Sequence, residues 1–130
     1  MRILAIDMGT GTQDILVFDS ARPVENNVKM VLPSATEIAA RRIRRATTQR
    51  RPVALTGVNQ GGGPCAWALE DHLRAGLEAF ATPEAAETFD DDIERVAAMG
   101  VRIVSEDELG SAPGDRIELR DLDLGAIRAA

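Results

Sequence analysis

The chain has 130 residues and a formal net charge of −6 at pH 7, which argues against nonspecific binding to nucleic acid or to an acidic membrane. Its length fits one domain, and its 45% hydrophobic residues suffice for one core. The single cysteine, Cys65, excludes an internal disulfide and fits a reducing compartment. Neither a membrane-spanning run nor a signal peptide is visible, so we expect a cytoplasmic protein without a membrane partner.

The first half of the chain predicts three strands and a helix. Its first apolar run is continuous, which is typical of a strand buried on both faces, and a glycine-rich turn joins it to a second run to give a hairpin. The helix is capped by Ser34 or Thr36. The predicted elements are strands at Ile3–Ile6, Ile15–Phe18 and Asn27–Leu32 and a helix that ends near Thr48.

The second half alternates short strands with helices, as α/β proteins do. The predicted elements are a strand at Pro52–Thr56, a helix at Pro64–Arg74, a strand at Leu77–Ala81, a helix at Pro83–Met99, an extended segment at Val101–Val104, a turn-rich linker at Gly110–Asp115 and a strand at Arg116–Arg120. Asp123 is expected to cap a helix that is cut short at Ala130. We therefore predict one lobe over residues 1–109, with residues 110–130 leading towards a missing second lobe.

A first glycine-rich motif occupies the hairpin turn between Asp7 and Asp14. Glycine lets backbone amides approach an anion closely, and the threonine hydroxyls add donors, so we predict a phosphate site. Asp7 is the candidate catalytic carboxylate, which would bind Mg²⁺ through water, and Asp14 is a second candidate metal ligand. The alternative is an ordinary glycine turn. The candidate phosphate-binding residues are Gly9, Thr10, Gly11, Thr12 and Gln13.

A second glycine-rich segment, Gly57–Pro64, precedes a helix. Amides at a helix N-terminus favour an anion, although no Lys-Ser/Thr pair follows, so the segment is not a Walker loop. A flexible connector is the alternative. Cys65 follows the segment, where the helix dipole could lower the pKa of its thiol, but a small core residue is the favoured interpretation. The candidate ligand-binding residues here are Asn59, Gln60, Gly61, Gly62 and Gly63.

The remaining polar clusters are interpreted as structural or solvated. A run of arginines between Arg41 and Arg51 lacks interleaved aromatic residues, which favours a solvated helix face over a nucleic-acid site. The acidic runs Asp90–Asp92 and Glu106–Glu108 lack metal-ligand spacing. His72, the only histidine, is expected to be structural.

Residues 3–14, Ile-Leu-Ala-Ile-Asp-Met-Gly-Thr-Gly-Thr-Gln-Asp, resemble the first phosphate loop of the actin, Hsp70 and sugar-kinase (ASKHA) superfamily. The resemblance implies an α/β fold, a ribonuclease H-like mixed sheet with an N-terminal β-hairpin and flanking helices. It further implies that ATP and Mg²⁺ are cofactors, with Asp7 as the metal or water carboxylate and the glycine–threonine turn around phosphate. Because no second phosphate loop follows residue 19, the chain would bind nucleotide only weakly unless a second lobe or another copy covers the site.

More narrowly, the hairpin turn, the segment Gly61–Pro64 and the residues Phe80–Ala86 are similar to an uncharacterised family labelled putative pyruvate formate-lyase activating enzyme. A radical activating enzyme needs three clustered cysteines for an iron–sulfur cluster, and one is present. We therefore expect the fold without that activity.

Three functional hypotheses follow from these residues. The leading one is a nucleotide-phosphate-binding lobe of an ATPase or phosphotransferase, inactive alone. The second is a small ribonuclease H-like nuclease, similar to Holliday-junction resolvases, in which Asp121 and Asp123 would have to approach Asp7 to hold two metals. The third is a scaffold of the same fold without catalysis.

Overall fold

Two β-sheets and several helices make up the part of the chain that the computed structural model describes, residues 1–60, 62–122 and 128. The strands are β1 (Arg2–Met8), β2 (Thr12–Asp19), β3 (Val28–Pro33), β4 (Val53–Gly57), β5 (Ala79–Ala81), β6 (Arg102–Ile103) and β7 (Asp115–Leu119). The helices are α1 (Ala35–Thr48), α2 (Gly63–Arg74), α3 (Pro83–Ala86), α4 (Ile93–Ala98) and α5 (Glu106–Gly110). The predicted α/β class and the N-terminal hairpin are confirmed.

The strands divide between two sheets rather than joining one mixed sheet. An antiparallel sheet has the order β1-β2-β3, and a parallel sheet has the order β6-β5-β4-β7. β1 is thus an edge strand, with Ile3 44% and Leu4 58% exposed, so the prediction that it is buried on both faces was wrong. A short apolar run indicates a strand, but it does not determine whether a second strand or layer covers it.

The core lies between the parallel sheet and the two long helices. α1 begins at Ser34, whose hydroxyl oxygen accepts the N–H of Glu37, and its buried face includes Ile43 and Ala46. This face packs against α2 and β7. Leu55 at the centre of β4 and Leu69 of α2 are fully buried in the same cluster. The parallel sheet is therefore fixed by helices whose N-terminal ends meet near the hairpin.

The helix predicted over Pro83–Met99 is instead two short helices, α3 and α4. Aspartate side chains interrupt it, because the carboxylate of Asp90 accepts the N–H of Asp92 and that of Asp92 accepts the N–H of Glu94. Such local bonds compete with helical ones, and Asp92 consequently starts α4 as its cap.

The residues after the predicted linker return to the parallel sheet. β7 pairs with β4 along five positions, from Val53 opposite Asp115 to Gly57 opposite Leu119. α5, which the sequence analysis did not predict, begins where Ser105 accepts the N–H of Glu108. The helix expected after Asp123 lies outside the described residues. No helix among the described residues is long and apolar enough to cross a membrane.

Candidate functional site

A cavity of about 480 Å³ opens where the two sheets approach each other. The chain leaves β4 for β5 and β6 on one side, then returns to β7 on the other side of β4. Ligands in open α/β sheets bind at such a switch point, beyond the carboxyl ends of the strands. The lining residues are Met8, Gly9, Thr10, Gln13, Ser34, Ala35, Thr36, Asn59, Gln60 and Asp121.

Polar bonds tie the ends of β4 and β7 together at this cavity. The side-chain amide of Asn59 donates through Nδ2 to the carbonyl of Arg120 at 2.6 Å. The backbone N–H of Gln60 donates to Asp121 Oδ1 at 2.7 Å. The backbone N–H of Asn59 also donates to the hydroxyl of Thr88 at 3.0 Å. The bond from Gln60 holds the Asp121 carboxylate at the cavity wall, and the two bonds of Asn59 hold the loop beside it.

The hairpin turn is attached to the start of α1. The Ser34 hydroxyl donates to the carbonyl of Thr10 at 2.8 Å, and the Ser34 N–H donates to the carbonyl of Gly11 at 3.1 Å. Gln13, which is 1% exposed, donates from its side-chain amide to the carbonyl of Pro33 at 3.0 Å. The turn and the first residues of α1 therefore form one continuous wall.

The N-terminus of α1 is the most suitable anion-binding group in this wall. The first amides of a helix have no acceptor within the helix and carry the positive end of its dipole. The hydroxyl oxygen of Ser34 accepts a hydrogen bond from the N–H of Glu37. The two residues between them, Ala35 and Thr36, line the cavity. α1 has 14 residues, so many aligned peptide dipoles contribute to the positive potential at its N-terminus.

The N-terminus of α2, predicted as a second anion site, offers fewer amides to a ligand than that of α1. Its third amide, that of Cys65, donates to the Thr36 hydroxyl oxygen at 3.3 Å, while Pro64 has no N–H at all. Gly62 and Gly63 do not line the cavity, and Gly61 lies outside the described residues. Asn59 and Gln60 are the members of that segment which reach the cavity.

The cavity wall carries one charged side chain, Asp121, and no Lys or Arg among the described lining residues. Its other polar groups are neutral, namely the hydroxyls of Thr10, Ser34 and Thr36 and the amides. A negative carboxylate repels a bare anion, so a phosphate ligand would have to arrive with a cation.

The hairpin residues predicted as one phosphate site are divided by the structure. Gly9, Thr10 and Gln13 line the cavity, whereas Gly11 and Thr12 do not. The amide of Gly9 is used within the turn, where it donates to the carbonyl of Thr12 at 2.9 Å. Gly9 therefore contributes space, not an amide, to the cavity.

Asp7 and Asp14 lie directly opposite each other in the β1–β2 ladder, and both are exposed. Residues of a strand alternate between its two faces, so they lie on the face away from buried Gln13 and from the cavity. The catalytic and metal-binding roles suggested for Asp7 and Asp14 stay predictions. No group of three or more His, Cys, Asp or Glu residues within the described part of the chain is placed to hold a metal ion.

The sequence predicts the helix start at Ser34 or Thr36 but gives it no ligand-binding role, and it suggests Asp121 only for the nuclease alternative. A capped helix start can itself bind an anion, so the spacing of Ser34 and Glu37, a serine followed three residues later by a glutamate, was the available signal. Asp121 could not be assigned to this wall without the pairing of β7 with β4.

Cys65 and His72 are both fully buried, which confirms that they are core residues. Burial raises the pKa of the Cys65 thiol from its ordinary 9.0 to about 12, so the suggested lowering by the helix dipole was wrong. His72 Nε2 lies 3.0 Å from the carbonyl oxygen of Glu78, and Nδ1 lies 2.8 Å from the Thr47 hydroxyl. Both ring nitrogens thus have hydrogen-bond partners inside the protein.

The arginine run is an exposed face, as predicted, with Arg41 and Arg44 paired to Glu37 and Arg51 paired to Asp115.

Residues 60–130 match the family model described as "Putative pyruvate format-lyase activating enzyme (DUF1786)". The chain belongs to this family. No curated protein and no solved structure gives a significant match. The matched part of this chain begins at Gln60 and includes β7, so it contains the residues of the cavity wall that follow β7. The N-terminal hairpin, on which the sequence resemblance was strongest, lies outside the matched residues.

Proposed function

We propose that the cavity binds the phosphate groups of a nucleotide together with Mg²⁺, as the first lobe of an ATPase or phosphotransferase of the ASKHA type. The observation that carries this proposal is the meeting of a hairpin turn and the N-terminus of α1 at the switch point of the parallel sheet. Both features favour phosphate, because α1 directs the positive end of its dipole to the cavity and the hairpin turn adds the hydroxyl of Thr10 and the space left by Gly9.

The donor set of the wall fits a magnesium–phosphate ligand. The amides of Ala35 and Thr36 and the hydroxyl of Thr10 would hold phosphate oxygens. Asp121 would supply a carboxylate oxygen, the ligand type that Mg²⁺ prefers. The N–H of Gln60 already donates to Oδ1 of this carboxylate and holds it in place. When bound, the metal would neutralise phosphate charge and orient the terminal phosphate.

The activity in the family's description is not part of this proposal. An iron–sulfur cluster needs several cysteine thiolates, and these 130 residues contain one cysteine. That cysteine is buried, and its raised pKa keeps the thiol protonated at neutral pH. We assign the chain a role in nucleotide binding instead.

A nuclease mechanism has less support. Two-metal hydrolysis needs several carboxylates around one point, whereas Asp7 and Asp121 belong to different surfaces of the described structure. A scaffold without catalysis shares the fold, and it becomes the conclusion if the cavity takes up no nucleotide.

Calorimetric titration with ATP, in Mg²⁺ and in EDTA, tests the proposal. We expect saturable but weak binding that requires Mg²⁺, and we expect Asp121→Asn to weaken Mg–ATP binding about tenfold, the loss of one charge-assisted contact. Asp7→Asn is the matched control, a carboxylate neutralised on the opposite face, and should leave binding unchanged. Urea unfolding of both variants verifies that they fold.

Two outcomes would overturn the assignment. If millimolar Mg–ATP gives no saturable heat and no amide shifts at Ala35 and Thr36 in NMR spectra, the cavity is not a nucleotide site. If Asp7→Asn abolishes binding while Asp121→Asn does not, the carboxylate predicted from the sequence is the functional one.

A further inference from the structure

The outer edge of β1 carries a regular row of unused backbone groups. Two bonds bracket the β1–β2 ladder, from the N–H of Gly9 to Thr12 and from the N–H of Ser20 to Met1. Because hydrogen-bonded pairs alternate along an antiparallel ladder, the odd-numbered residues of β1 face β2. The N–H and C=O groups of Arg2, Leu4, Ile6 and Met8 therefore face outwards.

This edge has fewer of the features by which proteins prevent strands from pairing, because its charged residues, Arg2 and Asp7, lie near its two ends. On the opposite edge of the same sheet, β3 carries Lys29 and Pro33 at outward-facing positions, and proline cannot donate to a further strand. β1 has neither lysine nor proline, and Leu4 and Met8 are more than half exposed. The difference between the two edges indicates that β1 is the one made to pair.

We propose that two copies of this chain pair through β1, antiparallel, about a two-fold axis at Ala5. In this register Leu4 lies opposite Ile6 of the second copy, and Ile3 lies opposite Asp7. The outward-facing residues then form hydrogen-bonded pairs with each other over the whole strand, and no like charges face one another. A six-stranded sheet results, in which Leu4 of each copy lies beside Ile6 of the other.

The pairing also changes the charge of the cavity. Met8 lines the cavity, and in the proposed register Arg2 of the second copy lies opposite it, on the same face of the sheet. Arg2 is 82% exposed and contacts only the carboxylate of Asp19 at 3.5 Å among the described ion pairs, so it is free to reorient. This part of the inference rests on the proposed function: the second copy supplies the cation that the cavity wall lacks.

Sedimentation equilibrium tests the dimer without any ligand. The wild-type chain should be dimeric at micromolar concentrations, and Leu4→Lys should make it monomeric, because a lysine on an edge strand opposes pairing and would here face Ile6 of the second copy. Val31→Lys is the matched control, an exposed apolar residue changed to lysine on the β3 edge, and it should leave the dimer intact. A monomeric wild type, or equal effects of the two variants, would overturn the pairing.

Cross-linking tests the register. At the two-fold axis the two Ala5 residues form a non-hydrogen-bonded pair with Cα atoms about 4.5 Å apart, a separation that a disulfide spans. Ala5→Cys should therefore form a covalent dimer on mild oxidation, whereas Ile3→Cys, about 14 Å from its own copy, should not. Cys65 is buried and does not interfere. A cross-link at residue 3 and not at residue 5 would contradict this register.

Titration of Mg–ATP into Arg2→Gln separates the two proposals. We expect the variant to remain dimeric and to bind nucleotide several-fold more weakly, more so at low salt. Unchanged affinity would exclude Arg2 from the site. If the wild type binds no nucleotide but Ala5→Cys still forms the covalent dimer, the proposed function fails and the dimer stands.

Discussion

The hydroxyl of Thr36 in α1 caps the first turn of α2. Its oxygen accepts the N–H of Cys65 at 3.3 Å, and its proton is donated to the carbonyl of Gly62 at 3.0 Å. The residue that should cap α2, Gly62, has no side chain to do so. One helix therefore completes the other, and both helix starts are held at the cavity.

Replacing Thr36 with valine should destabilise the fold by about 1–3 kcal/mol, because a buried N–H and a buried carbonyl lose their partner. Urea unfolding measures the change. Thr36→Ser should recover most of it, and Thr48→Val, on the exposed end of the same helix, should cost much less. Equal losses at positions 36 and 48 would show that the cap contributes nothing.

Gly57→Ala should be more damaging than any other glycine change in the site region. Gly57 has φ of 71°, and a Cβ there would overlap the carbonyl oxygen of Leu119 in the neighbouring strand. We expect a loss of about 2–4 kcal/mol in thermal or urea unfolding, from left-handed backbone strain and overlap together.

Gly11→Ala is the control for that variant. Gly11 has an ordinary φ and open space where a Cβ would lie, so its stability should stay within about 1 kcal/mol of wild type. If Gly11→Ala destabilises the chain as much as Gly57→Ala, the turn has a different conformation in solution.

Cys65 should be unreactive towards thiol reagents in the native protein and should react in urea. Its thiol pKa rises from 9.0 in the unfolded chain to about 12 in the fold, so the native state resists ionisation. Stability is therefore complete below pH 9 and falls as pH rises from 9 towards 12. Cys65→Ala should remove this pH dependence, and rapid native labelling at neutral pH would be inconsistent with burial.

His72→Leu should cost about 1–3 kcal/mol, because the carbonyl of Glu78 and the hydroxyl of Thr47 both lose a buried partner. A double-mutant cycle with Thr47→Val isolates the contact, and its coupling energy should exceed about 0.5 kcal/mol. Strict additivity of the two changes would mean that the ring and the hydroxyl act independently.

Local signals in the sequence were sufficient for most elements. The apolar runs predicted β1, β2 and β4, and Ser34 or Thr36 was expected to start α1, which begins after Ser34. The two errors have different causes: the burial of β1 depends on what packs against the strand, whereas the helix after Pro83 is broken locally by the side chains of Asp90 and Asp92. Periodicity and propensity describe a segment, not its neighbours.

The candidate site was predictable in its parts and not in its assembly. The two glycine-rich segments were recognised, and Gly9, Thr10, Asn59 and Gln60 do meet at one cavity. The face on which Asp7 lies follows from strand register, and the position of Asp121 follows from a long-range strand pair. Neither relation leaves a local signal.

The pairing of Val53 with Asp115 has a consequence for biosynthesis. β4 cannot acquire its second neighbour until the chain beyond residue 119 has left the ribosome, so a nascent chain exposes one side of that strand until then. The bonds from Asn59 to Arg120 and from Gln60 to Asp121 cannot form before then. The cavity therefore comes into existence only when the parallel sheet closes, and a chain stalled earlier has no site to fill.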